Sequence, residues 1–175
     1  MGERLYPRVL GADFACLPRA IREAHESATL MRGTVKVERG TGLPNRWLGL
    51  LARLPRACER GPCEVRFEPA GAGERWARDL NGCAFASVLT PAPEPHCFDE
   101  SFGHYGFRFR IDLGESDTRF VLVRHTVAGF PVPHFLWPRI STREFEQSGR
   151  YAFEVEARTP LNQLLVRYHG ELEPV

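Results

Sequence analysis

From His104 to Leu113 the chain reads HYGFRFRIDL, with Tyr105, Phe107, Phe109, Ile111 and Leu113 on odd positions and Arg108, Arg110 and Asp112 between them. A two-residue period this strict requires a β-strand with one apolar and one solvated face. At about 3.4 Å per residue the run reaches roughly 34 Å, long enough to cross a domain and curve over its core. Its apolar face needs other strands to cover it, and the chain supplies them. MRGTVKVERG sets Met31, Val35 and Val37 on one side, and CEVRFE, ERWARDL and CAFASVL follow after Cys63. Asn81-Gly82, between ERWARDL and CAFASVL, is a strong hairpin signal. RFVLVRHTV, YAFEVEA and LLVRYHGEL bring the count to about eight strands in hairpin order, without the strand-helix-strand alternation of a parallel sheet.

Two helical segments precede most of these strands. Pro18 opens a short helix carrying Leu17, Ile21 and Ala24 down to His25, and a second is expected after Pro44, where Trp47, Leu50, Leu51 and Leu54 form a stripe stopped by Pro55. The expected fold is α+β and mainly antiparallel β. It is a strongly curved sheet or barrel of about eight strands with two short N-terminal helices packed on or across it, as a single domain over 1–175.

With 175 residues, 43% hydrophobic and 26% charged, the chain can bury a self-sufficient core. A net charge of +1 gives no electrostatic reason to expect nucleic acid or a membrane surface as partner. No run approaches the roughly 20 apolar residues that span a bilayer, and MGERLYPRVL lacks the blocks of a signal peptide, so a cytoplasmic protein is expected. Cys16, Cys58, Cys63, Cys83 and Cys97 follow no small-scaffold pattern and read as thiols of a reducing compartment. Cys58, Cys63, His96 and Cys97 lack the paired short spacings of a zinc site, so no metal is expected.

The apolar strand faces carry the candidate site. Arg78 shares a face with Trp76 and Leu80, and Arg124 shares one with Phe120 and Leu122. A guanidinium turned into an apolar interior needs an internal carboxylate such as Glu154, or an anionic group on a ligand. Only one of Arg124 and His125 can face inward, and the alternation alone leaves open which. The leading expectation is a non-catalytic domain that binds a small hydrophobic molecule in a sheet-enclosed cavity lined by Trp76, Arg78, Phe85, Phe107, Phe109, Arg124 and Phe153.

A second expectation comes from AGFPVPHFLWPRI, Ala128 to Ile140. Its three prolines exclude a central strand, yet Phe130, Phe135 and Trp137 are as apolar as a core. The segment either caps the sheet as a lid or offers aromatic anchors to a protein partner. A third reading is an enzyme acting on a hydrophobic substrate, with His104 or His125 as base. No catalytic set has the spacing of a known site, and Asp99 and Glu100, just before His104, read as solvated loop charges.

The run LYPRVLGADF, the ERW at Glu74 to Trp76 with FAS at Phe85 to Ser87, GHYGFRF, the GFPVPHFLWPR loop, and FEVEARTPL followed by LLVRYHGEL together resemble the bacterial family catalogued as domain of unknown function 4166. Members of that family occur alone or attached behind a saccharopine-dehydrogenase-like reductase. The resemblance therefore implies a reductase as a partner, and it carries no catalytic residues over. Since no GxGxxG follows a strand here, no dinucleotide cofactor is expected.

Overall fold

The computed structural model describes residues 4–41 and 54–175. A helical unit comes first: α1 (Leu5–Leu10), a 3-10 turn (Gly11–Cys16) and α2 (Arg19–Glu26). The described strands are β1 (Leu30–Arg39), β2 (Cys58–Ala70), β3 (Gly73–Leu80), β4 (Cys83–Pro91), β5 (Cys97–Phe102), β6 (Tyr105–Leu113), β7 (Asp117–Val127), β8 (Phe130–Pro131), β9 (Arg139–Gln147), β10 (Arg150–Arg158) and β11 (Leu164–Pro174). Apart from β8, a two-residue strand on the edge of β7, they close into a ring in chain order. Every neighbouring pair is antiparallel, and β11 returns to pair with β1. The protein is a ten-stranded up-and-down barrel.

The expected strand count of about eight falls two short, because β5 and β9 escape the alternation rule. Each turns a carboxylate inward, Glu100 on β5 and Glu144 on β9. The Asn81-Gly82 hairpin forms as expected, with φ of 56° and 79°, the left-handed pair that such a two-residue turn requires. The seam between first and last strands pairs Met31 with Pro174 through to Arg39 with Val166. It needs Gly33, where a Cβ would lie 1.8 Å from the Glu171 carbonyl oxygen.

The helical unit plugs one end of the barrel, the end where β2 turns into β3 and β9 into β10. Leu5, Tyr6, Ile21 and Ala24 are buried against strand residues such as Met31, Phe67, Trp76 and Phe120. Strand carboxylates hold it in place. Glu74 on β3 accepts the Leu5 backbone N–H at 2.7 Å at the start of α1, and Glu146 on β9 accepts the Ala20 N–H at 3.0 Å in the first turn of α2. Both satisfy donors that a helix start leaves open. The helix expected around Pro18 is α2. Sequence reading does not anticipate α1, whose Pro7 is tolerated because it sits in the first turn. The second expected helix, with Trp47, Leu50 and Leu51, lies outside the described residues. No described helix is long and apolar enough to cross a membrane.

Candidate functional site

A closed ring of ten strands is wider than side chains fill from its walls, since barrel diameter grows with strand number. The plug occupies one end of the lumen. Above it remains a cavity of about 230 Å³ with a largely aromatic lining that includes Trp76, Phe85, Phe102, Phe107, Phe153 and Tyr168.

Polar groups enter the cavity at two places. On its wall, Arg78 donates to the Ser87 hydroxyl at 2.8 Å and lies 3.4 Å from Glu100 Oε1, while Ser87 donates to that same carboxylate oxygen at 2.5 Å. The guanidinium sits over the rings of Trp76 and Phe85, at 5.2 and 5.7 Å. Its charge is therefore balanced inside the barrel by Glu100 and by two aromatic faces. Burial pushes the neighbouring Tyr168 hydroxyl up to about 12, so it is a neutral phenol at physiological pH.

At the floor, Glu144 joins barrel to plug. Its Oε2 accepts from the Tyr6 hydroxyl at 2.6 Å and the Thr118 hydroxyl at 3.3 Å, and lies 3.2 Å from His25 Nε2; its Oε1 accepts from Tyr151 at 2.8 Å. A carboxylate only accepts, so Nε2 of His25 carries the proton in this contact. The His25 ring stacks on Tyr6 with centroids 3.6 Å apart. Burial works to raise the Glu144 pKa, but attraction to His25 and the bonds from His25, Tyr6 and Tyr151 outweigh it and hold the carboxyl below the usual glutamate range. Tyr6 and Tyr151 shift upward, by burial first and by the Glu144 charge second. All four polar valences of the floor are thus committed to structure.

Of the residues expected at a ligand site, Trp76, Arg78, Phe85, Phe107 and Phe153 line the cavity. Phe109 packs into the core between Phe98 and Phe120 instead. Arg124, expected beside Phe120 and Leu122, is exposed on the outside of the barrel. The cause is a bulge: Arg108 pairs with Arg124 but Phe109 with Leu122, so Val123 is an extra residue that shifts the alternation by one. Leu122 and His125 both face inward as a result, and His125 bonds the Gly106 carbonyl through Nδ1 at 3.1 Å and stacks on Phe107. Glu154, the carboxylate suggested for an internal arginine, is exposed, and Glu100 takes that role. Asp99 and Glu100 are strand residues rather than loop charges. His104 is exposed at the β5–β6 turn, and neither it nor His125 lines the cavity.

The 128–140 segment does not cap the sheet with its phenylalanines. Phe130 is 76% exposed and Phe135 75%, while Trp137 is half-buried with its indole N–H on the Val132 carbonyl at 2.7 Å. Sequence reasoning missed Glu100, Glu144, Tyr151 and the plug residues Tyr6 and His25. The two carboxylates break the apolar period of their strands, so no local pattern marked them as inward-facing. Among the described residues no group of three His, Cys, Asp or Glu side chains converges as metal ligands. Burial raises the Cys63 thiol to about 12 and also raises Cys97, so neither is an activated nucleophile.

No curated protein matches the sequence. The profile of one family matches residues 17–172, nearly the whole barrel together with α2, and the chain accordingly belongs to the family described as Domain of unknown function (DUF4166).

Proposed function

We propose that the protein binds one small hydrophobic molecule in the lumen of its barrel. The observation that carries this reading is the cavity of about 230 Å³. Its lining is largely apolar, so an apolar molecule that settles there gains roughly 25 cal/mol for each Å² taken out of water. A cavity of roughly 150 Å³ already takes up benzene, so this one suits a molecule of bicyclic aromatic size or a medium alkyl chain. It is somewhat below the usual range of about 300 Å³ and more for drug-sized ligands. The internal balance of Arg78 by Glu100 favours a neutral hydrogen-bonding group at that wall, in place of the carboxylate expected for an unpaired arginine. The thiols of Cys16, Cys58, Cys63 and Cys97 support a cytoplasmic setting.

The test is titration of the whole protein with 1-naphthol, followed by tryptophan fluorescence, together with native mass spectrometry of the freshly purified protein. Saturable binding of one naphthol per chain, lost in Ala157→Phe because that ring fills the cavity, is the expected result. Absence of both naphthol binding and a co-purifying small molecule overturns the reading.

The exposed Phe130 and Phe135 favour a second reading, an interaction module that docks a reductase through the 128–140 segment. Phe135→Ser combined with Trp137→Ser then abolishes co-purification with a saccharopine-dehydrogenase-like reductase while the fold is kept; unchanged co-purification refutes it.

A further inference from the structure

The ladder between β7 and β9 is cut short. Four residue pairs join them, Asp117–Phe120 against Thr142–Phe145, whereas nine join β6 to β7 and nine join β9 to β10. The bulge at Val123 bends β7 just past this point. Beyond the last pair a groove opens in the barrel wall beside the 3-10 turn His134–Leu136. Phe120, Ile140 and Thr142 line both this groove and the lumen cavity, so their side chains form the partition between the two.

The charge of the groove differs from that of the lumen. Arg119, Arg139 and His134 line it, and no carboxylate does among the described residues. Arg139 makes no ion pair among the described residues. Arg119 shares Asp117 with Arg143, so two guanidiniums stand against one carboxylate. An anion at this mouth meets uncompensated arginine while staying in contact with water, which avoids the desolvation cost it would face inside.

We propose that the β7–β9 groove is the mouth of the lumen and that the ligand is an amphiphile with an anionic head, its alkyl chain lying in the cavity and its head on Arg119 and Arg139. This rests on the lumen being a binding cavity and adds the ligand class and the route of entry. Phe120 and Ile140 are the side chains that must swing aside for the chain to pass.

The experiment compares decanoate with 1-decanol by calorimetry on the full chain, with 1-naphthol as the control for the lumen. Wild type is expected to bind decanoate at least tenfold more tightly than 1-decanol, and the advantage shrinks several-fold between 50 and 500 mM salt. Arg139→Gln removes most of that advantage and leaves 1-decanol and 1-naphthol unchanged. Equal affinity for the two chains in wild type, or an equal loss for both in Arg139→Gln, overturns the proposal while retained naphthol binding leaves the lumen reading standing. Loss of all three ligands in wild type overturns both. Decanoyl lysophosphatidylglycerol forms a further arm: tighter binding than decanoate identifies a phospholipid source, weaker binding a free acid, and either supports the anionic mouth.

Discussion

The two ends of the barrel are built on opposite terms. At the plugged end three carboxylates, Glu74, Glu144 and Glu146, are spent on helix starts, tyrosines and an imidazole, and the polar atoms of the floor are nearly all satisfied inside the protein. At the other end the wall opens between β7 and β9, Arg139 has no carboxylate partner among the described residues, Arg119 shares Asp117 with Arg143, and phenylalanine rings stand in solvent. On the function proposed above, the contrast separates stability from recognition. One end fixes the shape of the barrel, and the other keeps unspent chemistry.

Substitutions at the two ends sharpen or break that division. The largest effect is expected for Glu144→Ala, which strands Tyr6, Tyr151, Thr118 and His25 in a dry environment and costs about 3–5 kcal/mol in urea unfolding. A loss below about 1 kcal/mol would show that the floor is not the anchor. Acid supplies the same test. Since the folded pKa of Glu144 is depressed below the ordinary glutamate value of 4.5, its contribution is present above that value and is lost as pH falls through the folded one. Unfolding free energy should therefore drop steeply below about pH 4.5, and Glu144→Gln should flatten that slope.

Tyr6→Phe removes one of the four bonds to the floor and is expected to cost about 1–2 kcal/mol, measured in the same way. Ala157→Phe fills the lumen, so its expected stability change is under about 1 kcal/mol although naphthol binding disappears. Smallest of all, Phe135→Ser should shift unfolding by no more than about 0.5 kcal/mol, because its ring is already in water. A large loss there would mean that the open end also carries the fold.

The clearest strands in the sequence are those whose inner faces are wholly apolar. Met31, Val35 and Val37 on β1, and Phe107, Phe109 and Ile111 on β6, obey the period and face the interior. β9 reads STREFEQ across its centre, and nothing local reveals that Glu144 points inward, because the groups that make it tolerable, Tyr6 and His25, lie more than a hundred residues away. The site was legible in its aromatic lining and illegible in its charges. A one-residue bulge at Val123 reverses everything that follows it on β7, and so Arg124 lies outside while His125 lies within.

The seam between β1 and β11 also governs how the chain is made. Met31 cannot find Pro174 until β11 has left the ribosome, so closure comes after every other strand of the barrel has been made, with a large entropy cost and a slow rate. Until then the nascent meander presents two unpaired edges and an oily concave surface to the cell, which makes the interval before β11 arrives the moment of greatest aggregation risk. Expression at lower temperature, or with a chaperone that shields such intermediates, should raise the soluble yield far more than any change to the finished barrel.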